Sequence, residues 1–198
     1  MTGIRCFIAV EIDDPTVTRH IQQKQQDLQS SRAKLKLVEE KNLHFTLHFL
    51  GNVDEGRIPE LIELLEAVDG DSFEVELVGL GCFRPQRPRV IWIGCTLGAD
   101  QLIHHQQFLG KQLRAHGFPS EKRKYSPHLT IARVRSGENR AQLMKLVDEH
   151  KNYDFGRFRV KAIKLKKSTL TPKGPIYEDL AVRELNEVKE KQFNSKMV

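Results

Sequence analysis

Two short segments of the chain carry the same pair of polar side chains, a histidine followed two positions later by a threonine. The first pair is His44 and Thr46 in HFTLHFLG, and the second is His128 and Thr130 in HLTIAR. Alternate residues of a β-strand point to one face, so a strand would present each histidine beside its threonine. One such histidine is more often structural than catalytic. Two at matching positions can act as proton donor and acceptor on opposite sides of one reacting centre.

Phosphoryl chemistry suits this arrangement. An in-line attack on phosphorus needs a base at the entering oxygen, an acid at the leaving oxygen and donors for the charged non-bridging oxygens. The two threonine hydroxyls are placed to be those donors. Because a positioned acid or base contributes about 10² to 10⁴ in rate, replacing either histidine should be severe.

The elements that must position these residues recur along the chain. The histidine segments are 84 positions apart, and the same offset aligns CFIAVEI with VIWIGCT. Around each segment the hydrophobic pattern predicts the order β-α-β-α-β. We therefore predict a single bilobal domain over residues 1–188, with pseudo-repeats over 4–84 and 88–170 and a flexible tail over 189–198. Alternating strands favour an α+β fold in which two antiparallel sheets face a central cleft with the helices outside.

Individual elements follow from periodicity. Apolar spacing predicts helices over residues 15–28, 58–68, 99–115 and 140–149. The run FRVKAIKLKK alternates throughout and predicts a single strand. The segment TPKGP predicts a turn, in which we expect no catalytic role for Lys173.

Composition limits the class of protein. The chain has 198 residues, a net charge of +6 and three cysteines without CxxC spacing. Its apolar runs are strand-sized and far below the roughly 18 residues of a membrane helix, and the first is too short for a signal peptide. We predict a cytoplasmic monomer with no membrane partner. The positive charge favours a phosphate-bearing partner, although much of it lies in KAIKLKK and the tail, where a solvated surface explains it equally well.

Both motifs together resemble those of a known family. The resemblance extends to the segments RCFIAVEI, PRVIWIG, YSPHLTIAR and STLTPKGPIYEDL. The family is the RNA 2',3'-cyclic phosphodiesterase branch, historically called 2'-5' RNA ligase, of the two-histidine phosphoesterase superfamily. The resemblance implies hydrolysis of an RNA 2',3'-cyclic phosphate to a 2'-phosphate without metal or cofactor, and reversible 2'-5' ligation. The implied partners are RNAs with 2',3'-cyclic phosphate or 2'-phosphate ends, tRNA fragments among them.

The resemblance also implies roles for individual residues. His44 and His128 become the acid and base, and Thr46 and Thr130 hold the phosphate. We assign His128 as the base that activates water and His44 as the acid that protonates the departing 3' oxygen, an order that the sequence leaves open. Arg133 completes the H-x-T-x-x-R pattern of the branch, and a guanidinium suits phosphate oxygens.

The position of Arg133 raises a geometric question. Strict alternation places it on the face opposite His128, so a bulge or a strand end is needed to turn it inward. The first repeat has Phe49 at the corresponding position.

Further residues are candidates for substrate binding. Tyr125 and Phe83 are predicted to stack on a base, since aromatic faces commonly hold single-stranded RNA. We expect His48 to form part of the cleft wall. Phosphate contacts are expected from nearby basic residues, namely Arg84, Arg87, Arg89, Arg123 and Lys124.

Two other classes of protein remain open. The first is a noncatalytic module that binds RNA ends through the same basic cleft. The second is a metallohydrolase built on His44 and His48. It lacks a convincing third ligand, and the second motif has Ala132 where His48 would recur.

Overall fold

The computed structural model describes residues 3–120, 124–172 and 174–187. The strands in this part of the chain are β1 (Gly3–Glu11), β2 (Leu35–Leu37), β3 (His44–Asp54), β4 (Phe73–Gly81), β5 (Val90–Cys95), β6 (Leu129–Val134), β7 (Asp154–Val160), β8 (Ala162–Thr171) and β9 (Gly174–Glu184). The helices are α1 (Pro15–Gln29), α2 (Ile58–Glu66), α3 (Ala99–Ala115) and α4 (Arg140–Glu149). The four predicted helices are confirmed. The predicted tail over 189–198, Arg123 and Lys173 lie outside the described residues.

Local sequence explains where α1 begins. Pro15 occupies the first helical turn, where its missing N–H costs nothing. The Asp14 carboxylate accepts hydrogen bonds from the backbone N–H groups of Thr16 and Val17, each 2.9 Å long, and so caps the helix. The helix then buries an apolar stripe that includes Val17 and Ile21.

The strands form one antiparallel sheet in the order β7-β4-β5-β6-β3-β1-β8-β9, and β2 pairs with β6. We call β3, β1, β8 and β9 the first half-sheet, and β6, β5, β4 and β7 the second half-sheet. A single backbone pair, Phe45 with Leu129, joins the two. The α+β class and the antiparallel pairing are confirmed, and the two expected sheets are halves of one sheet that are continuous at this pair.

The strand order is symmetric about the Phe45–Leu129 pair. Strands β3, β1, β8 and β9 on one side correspond in order to β6, β5, β4 and β7 on the other. Strand β4, from the first part of the chain, lies beside β5, whereas β8, from the last part, lies beside β1. Each half-sheet therefore contains strands from both parts of the chain.

Two details of the sheet differ from the sequence prediction. The run FRVKAIKLKK is not one strand, because the chain leaves β7 at Val160 and enters β8 at Ala162 in the other half-sheet. Alternation continues across the break, so the pattern contained no signal for it. Strand β9 was not predicted. The turn prediction for TPKGP is confirmed, since Thr171 and Gly174 close the β8–β9 hairpin.

The helices cover one face of the sheet. Helix α3 packs on β3 and α2 packs on β8 and β9, while α1 packs on β6 and β7 and α4 packs on β4. Phe45 and Leu129, at the centre of the sheet, are fully buried in the core beneath these helices. None of the helices within the described residues is long and apolar enough to span a membrane. The opposite face of the sheet is left open as a cleft.

Candidate active site at the junction of the half-sheets

The two H-x-T pairs meet at the junction of the half-sheets. His44 and His128 each precede a member of the Phe45–Leu129 pair, and Thr46 and Thr130 each follow one. In an antiparallel pair this arrangement relates the two motifs by a local two-fold axis. All four side chains line one cleft of about 880 Å³. The structure thus brings the four predicted residues together.

Both imidazoles are held in the same way. Nδ1 of His44 lies 2.7 Å from the carbonyl oxygen of Asn42, and Nδ1 of His128 lies 2.8 Å from that of Ser126. A carbonyl only accepts a hydrogen bond, so Nδ1 of each ring carries the proton. Nε2 is then the atom of each ring that exchanges a proton with a substrate.

Aromatic rings surround each histidine. The ring centroid of His44 lies 5.0 Å from that of Phe7 and 5.4 Å from that of Tyr177. The ring of His128 meets Phe83 edge to face at 4.8 Å. Phe83, predicted to stack on a base, thus packs on the catalytic candidate and keeps 53% of its surface exposed.

Burial alters the acidity of His44. Desolvation lowers the pKa of the ring to about 4, and the positive charges of Lys166 and Arg133 act in the same direction. The Asn42 carbonyl and the negative charge of Glu11 oppose the shift. His44 is therefore a neutral imidazole at pH 7 in the free protein.

A cluster of four charges lies beside His44 in the first half-sheet. Glu11 pairs with His44 in the β1–β3 register. Nζ of Lys164 lies 2.6 Å from Glu11 and 2.8 Å from Asp179, and Lys166 binds the same two carboxylates. Burial opposes ionisation of Glu11 and Asp179, but the hydrogen bonds from the lysines outweigh it and lower the pKa of both carboxyls. We call these residues the charge cluster.

The bulge that Arg133 requires is present in β6. Thr130 pairs with Trp92 and Ala132 with Ile91, so the β5–β6 register passes over Ile131. An extra residue in one strand reverses the alternation beyond it. Arg133 consequently lines the cleft together with Thr130.

The same bulge occurs in β3 and overturns the prediction for His48. Thr46 pairs with Ala9 and His48 with Ile8, so the β1–β3 register passes over Leu47. His48 is turned into the core, where Nε2 lies 2.7 Å from the carbonyl oxygen of Gln106 in α3 and only 1% of the residue is exposed. The expectation that His48 forms the cleft wall is wrong.

The position of His48 also bears on the metallohydrolase alternative. His44 faces the cleft and His48 faces the core, so the two rings do not converge on one ion. Within the described ranges, no three His, Cys, Asp or Glu side chains are grouped to hold a metal.

The remaining candidates lie at the margin of the cleft. Tyr125 lines it but packs against the core, and burial raises the pKa of its phenol. Arg87 and Arg89 do not line the cleft, and Glu39 is its one acidic residue among those described. The basic residues that line it are Lys36, Arg84, Lys124, Arg133 and Arg135. The cleft therefore favours an anionic ligand.

The fold has counterparts among solved structures. The protein TT0787 of Thermus thermophilus superposes with a TM-score of 0.76 at 25% identity, covering 92% of this chain and 98% of that chain. Apo LigT of E. coli superposes with a TM-score of 0.77 at 22% identity, covering 94% and 99%. These likenesses support the same arrangement of strands and helices.

Sequence comparison assigns the family. The RNA 2',3'-cyclic phosphodiesterase of Methanothermobacter thermautotrophicus is 38% identical over 182 residues, which cover 90% of this chain and 97% of that protein. The protein of the same name from Aeropyrum pernix is 41% identical over 147 residues, covering 74% and 84%. The family model described as the 2'-5' RNA ligase superfamily matches residues 13–170. Because that match takes in both H-x-T segments and most of the sheet around them, the chain belongs to the 2'-5' RNA ligase superfamily.

Proposed function

We propose that this protein hydrolyses the 2',3'-cyclic phosphate at the end of an RNA to a 2'-phosphate and a free 3'-hydroxyl. The observation that carries the proposal is the symmetric meeting of two H-x-T pairs in a basic cleft. Relatives that cover most of the chain and bear the name RNA 2',3'-cyclic phosphodiesterase support it.

The reaction needs two proton transfers. Nε2 of His128 takes a proton from water as the water oxygen attacks phosphorus. The bond from phosphorus to the 3' oxygen breaks, and Nε2 of His44 gives its proton to that oxygen. The 2' oxygen keeps the phosphate. Thr46, Thr130 and Arg133 donate hydrogen bonds to the non-bridging oxygens as negative charge grows on them.

The acid must first acquire its proton. His44 is neutral at pH 7 in the free protein because burial lowers its pKa to about 4. The cyclic phosphate is an anion, and a negative charge beside an imidazole raises its pKa. Substrate binding and protonation of His44 are therefore coupled, and the acid is formed in the complex.

The same centre supports ligation. When the 5'-hydroxyl of a second RNA takes the place of water, the two proton transfers produce a 2'-5' phosphodiester. Microscopic reversibility lets the centre also break that linkage.

The setting of this activity is also part of the proposal. RNA ends such as those of tRNA fragments are the substrates, and the protein acts as a monomer without metal or cofactor. A cytoplasmic location is supported by the cysteines Cys6, Cys82 and Cys95, all of which are free.

The test is cleavage, in EDTA, of an RNA oligomer that ends in a 2',3'-cyclic phosphate, with identification of the product phosphate. Wild type is compared with His44→Ala and His128→Ala, and with His104→Ala as a matched control on the exposed side of α3. We expect a 2'-phosphate from wild type and the control, and a loss of about 10² or more in rate for each site variant.

Other outcomes would reject the proposal. Tight binding of the oligomer without turnover would move the protein to the class of noncatalytic RNA-end binding modules. Activity that EDTA abolishes would favour metal-dependent hydrolysis.

A further inference from the structure

A second, smaller pocket opens from the cleft on the His44 side. It has a volume of about 350 Å³, within the range of about 300 to 1,000 Å³ for small-ligand sites. It shares five lining residues with the main cleft, namely His44, Phe49, Arg133, Pro175 and Tyr177. The residues that extend it beyond the cleft are Arg5, Cys6, Phe7, Gly51, Ser168 and Leu170. We call it the side pocket.

The side pocket carries positive charge, and no carboxylate among its described lining residues balances it. Arg5 and Arg133 both line it, and none of its described lining residues is an aspartate or a glutamate. Within the described residues neither guanidinium forms a hydrogen bond or an ion pair. Arg157, by contrast, binds Glu76 through two nitrogens at 2.9 and 2.7 Å. Two uncompensated guanidiniums at one pocket suit a phosphate group.

Exposed apolar side chains form another part of the pocket lining. Phe49 and Leu170 are 66% and 69% exposed, the highest values among the large hydrophobic side chains in the described ranges. An aromatic face next to arginines is the combination that holds a base and its phosphate in single-stranded nucleic acids. The lining of the side pocket therefore matches one nucleotide.

We propose that the side pocket binds the nucleotide on the 5' side of the terminal cyclic phosphate. Its phosphodiester lies against Arg5 and its base against Phe49 and Leu170. The proposal rests on the proposed function, in which the 3' oxygen departs toward His44. The terminal ribose then lies on the His44 side, where the side pocket opens, and an RNA with a 3'-terminal cyclic phosphate continues only in the 5' direction.

The side pocket is then a determinant of substrate specificity. A nucleoside 2',3'-cyclic phosphate fills only the main cleft, whereas an RNA end also fills the side pocket. Arg5 is expected to favour the RNA end without taking part in the chemistry, so its effect should depend on the length of the substrate.

The test compares kcat/KM for cytidine 2',3'-cyclic phosphate with that for a cytidine dinucleotide that ends in the same group. For Arg5→Gln we expect a loss of about tenfold on the dinucleotide and a change below about twofold on the mononucleoside. The matched control is Arg19→Gln, which removes the same charge from the exposed side of α1 and should change neither value.

A third substrate separates phosphate binding from base stacking. With a 5'-phosphate added to cytidine 2',3'-cyclic phosphate, Arg5→Gln should still lose about tenfold. Leu170→Ala, which changes a side chain that lines the side pocket and not the main cleft, should lower kcat/KM only when a second base is present. Circular dichroism and thermal unfolding of each variant verify that it is folded.

Equal losses on all substrates, or no loss on the dinucleotide, would overturn this inference. A wild-type protein that hydrolyses neither compound would instead overturn the proposed function. Calorimetric measurement of binding then tests the side pocket alone, because Arg5→Gln should weaken the binding of the dinucleotide and not that of the mononucleoside.

Discussion

The active site has two half-sites, one formed by His44 and Thr46 and the other by His128 and Thr130. The backbone holds both imidazoles in the same way, but the side chains around the two rings differ. His44 and His128 each bind the carbonyl two residues upstream through Nδ1. His44 has Glu11 as its strand partner, with the rest of the charge cluster beside it. Aromatic rings border both histidines, Phe7 and Tyr177 at His44 and Phe83 and Trp92 at His128, so the charge cluster is what sets the surroundings of His44 apart. The symmetric frame fixes where two proton-transfer groups lie, and the asymmetric surroundings allow them different tasks.

Exchange of the leaving atom tests which half-site supplies the acid, and it has the largest expected effect. In a substrate whose 3' oxygen is replaced by sulfur, the thiolate leaves without a proton. His44→Ala should lose about 10² to 10⁴ in kcat on the oxygen substrate, yet remain within about tenfold of wild type on the sulfur substrate. His128→Ala should lose activity on both, which single-turnover rates will measure.

The opposite pattern would reverse the comparison. Rescue of His128→Ala by sulfur, with no rescue of His44→Ala, would make His44 the base, in keeping with its neutral state in the free protein. If sulfur rescues neither variant, neither histidine protonates the leaving oxygen.

The second difference is Arg133, which has Phe49 as its counterpart. We expect Arg133→Gln to lower kcat/KM by about 10², since charge-assisted hydrogen bonds to the phosphate are lost. Arg133→Lys should lower kcat/KM less than Arg133→Gln does, because lysine keeps the charge but lacks the planar pair of donors. Steady-state kinetics on the dinucleotide, with Arg19→Gln as the control, will measure both.

One outcome would contradict a role for Arg133 in the transition state. A loss in Arg133→Gln that appears only in KM would assign Arg133 to ground-state binding and leave the transition state to the threonines.

The third test concerns the charge cluster. Lys166 lowers the pKa of His44, and its removal leaves Glu11 and Asp179 with one lysine. Both changes favour the imidazolium, so in Lys166→Met the pKa of His44 should rise from about 4 by about one unit. Proton NMR titration of the imidazole resonances will measure it. Lys167→Met, which removes a charge paired with Glu178, is the control.

An unchanged titration in Lys166→Met would show that Lys166 does not lower the pKa of His44 and would leave desolvation and Arg133 as the causes. Urea unfolding must accompany the titration, because removing one partner of a buried ion pair is destabilising.

Much of the site followed from the sequence because the 84-residue offset is a long-range constraint. It aligned the two histidines and implied a shared cleft before any contact was known. The error at His48 arose from applying a bulge to one repeat alone. Arg133 requires a bulge in the second repeat. The 84-residue offset places the corresponding bulge of the first repeat at Leu47, and that bulge turns His48 toward the core.

Other features left no local signal. The charge cluster joins Glu11 with residues more than 150 positions later, and an alternating lysine strand is equally typical of a solvated face. The break between β7 and β8 falls within continuous alternation. Strand β9 is an edge strand in which no residue is fully buried, so its hydrophobic pattern is weak. The pairing of distant strands determines the charge cluster and the break between β7 and β8, whereas β9 is held by its hairpin with β8.

The smallest expected effect is at Tyr125, which lies three residues before His128 in the sequence. Its hydroxyl is buried and has no hydrogen-bond partner in the described part of the chain. A buried hydroxyl without a partner is unfavourable, so Tyr125→Phe should raise the free energy of unfolding by about 1 kcal/mol and leave kcat/KM unchanged. Tyr125→Leu removes the ring as well and should raise KM if the ring stacks on a base. Urea unfolding and steady-state kinetics on both variants decide this, and a loss of activity in Tyr125→Phe would show that the hydroxyl itself contacts the substrate.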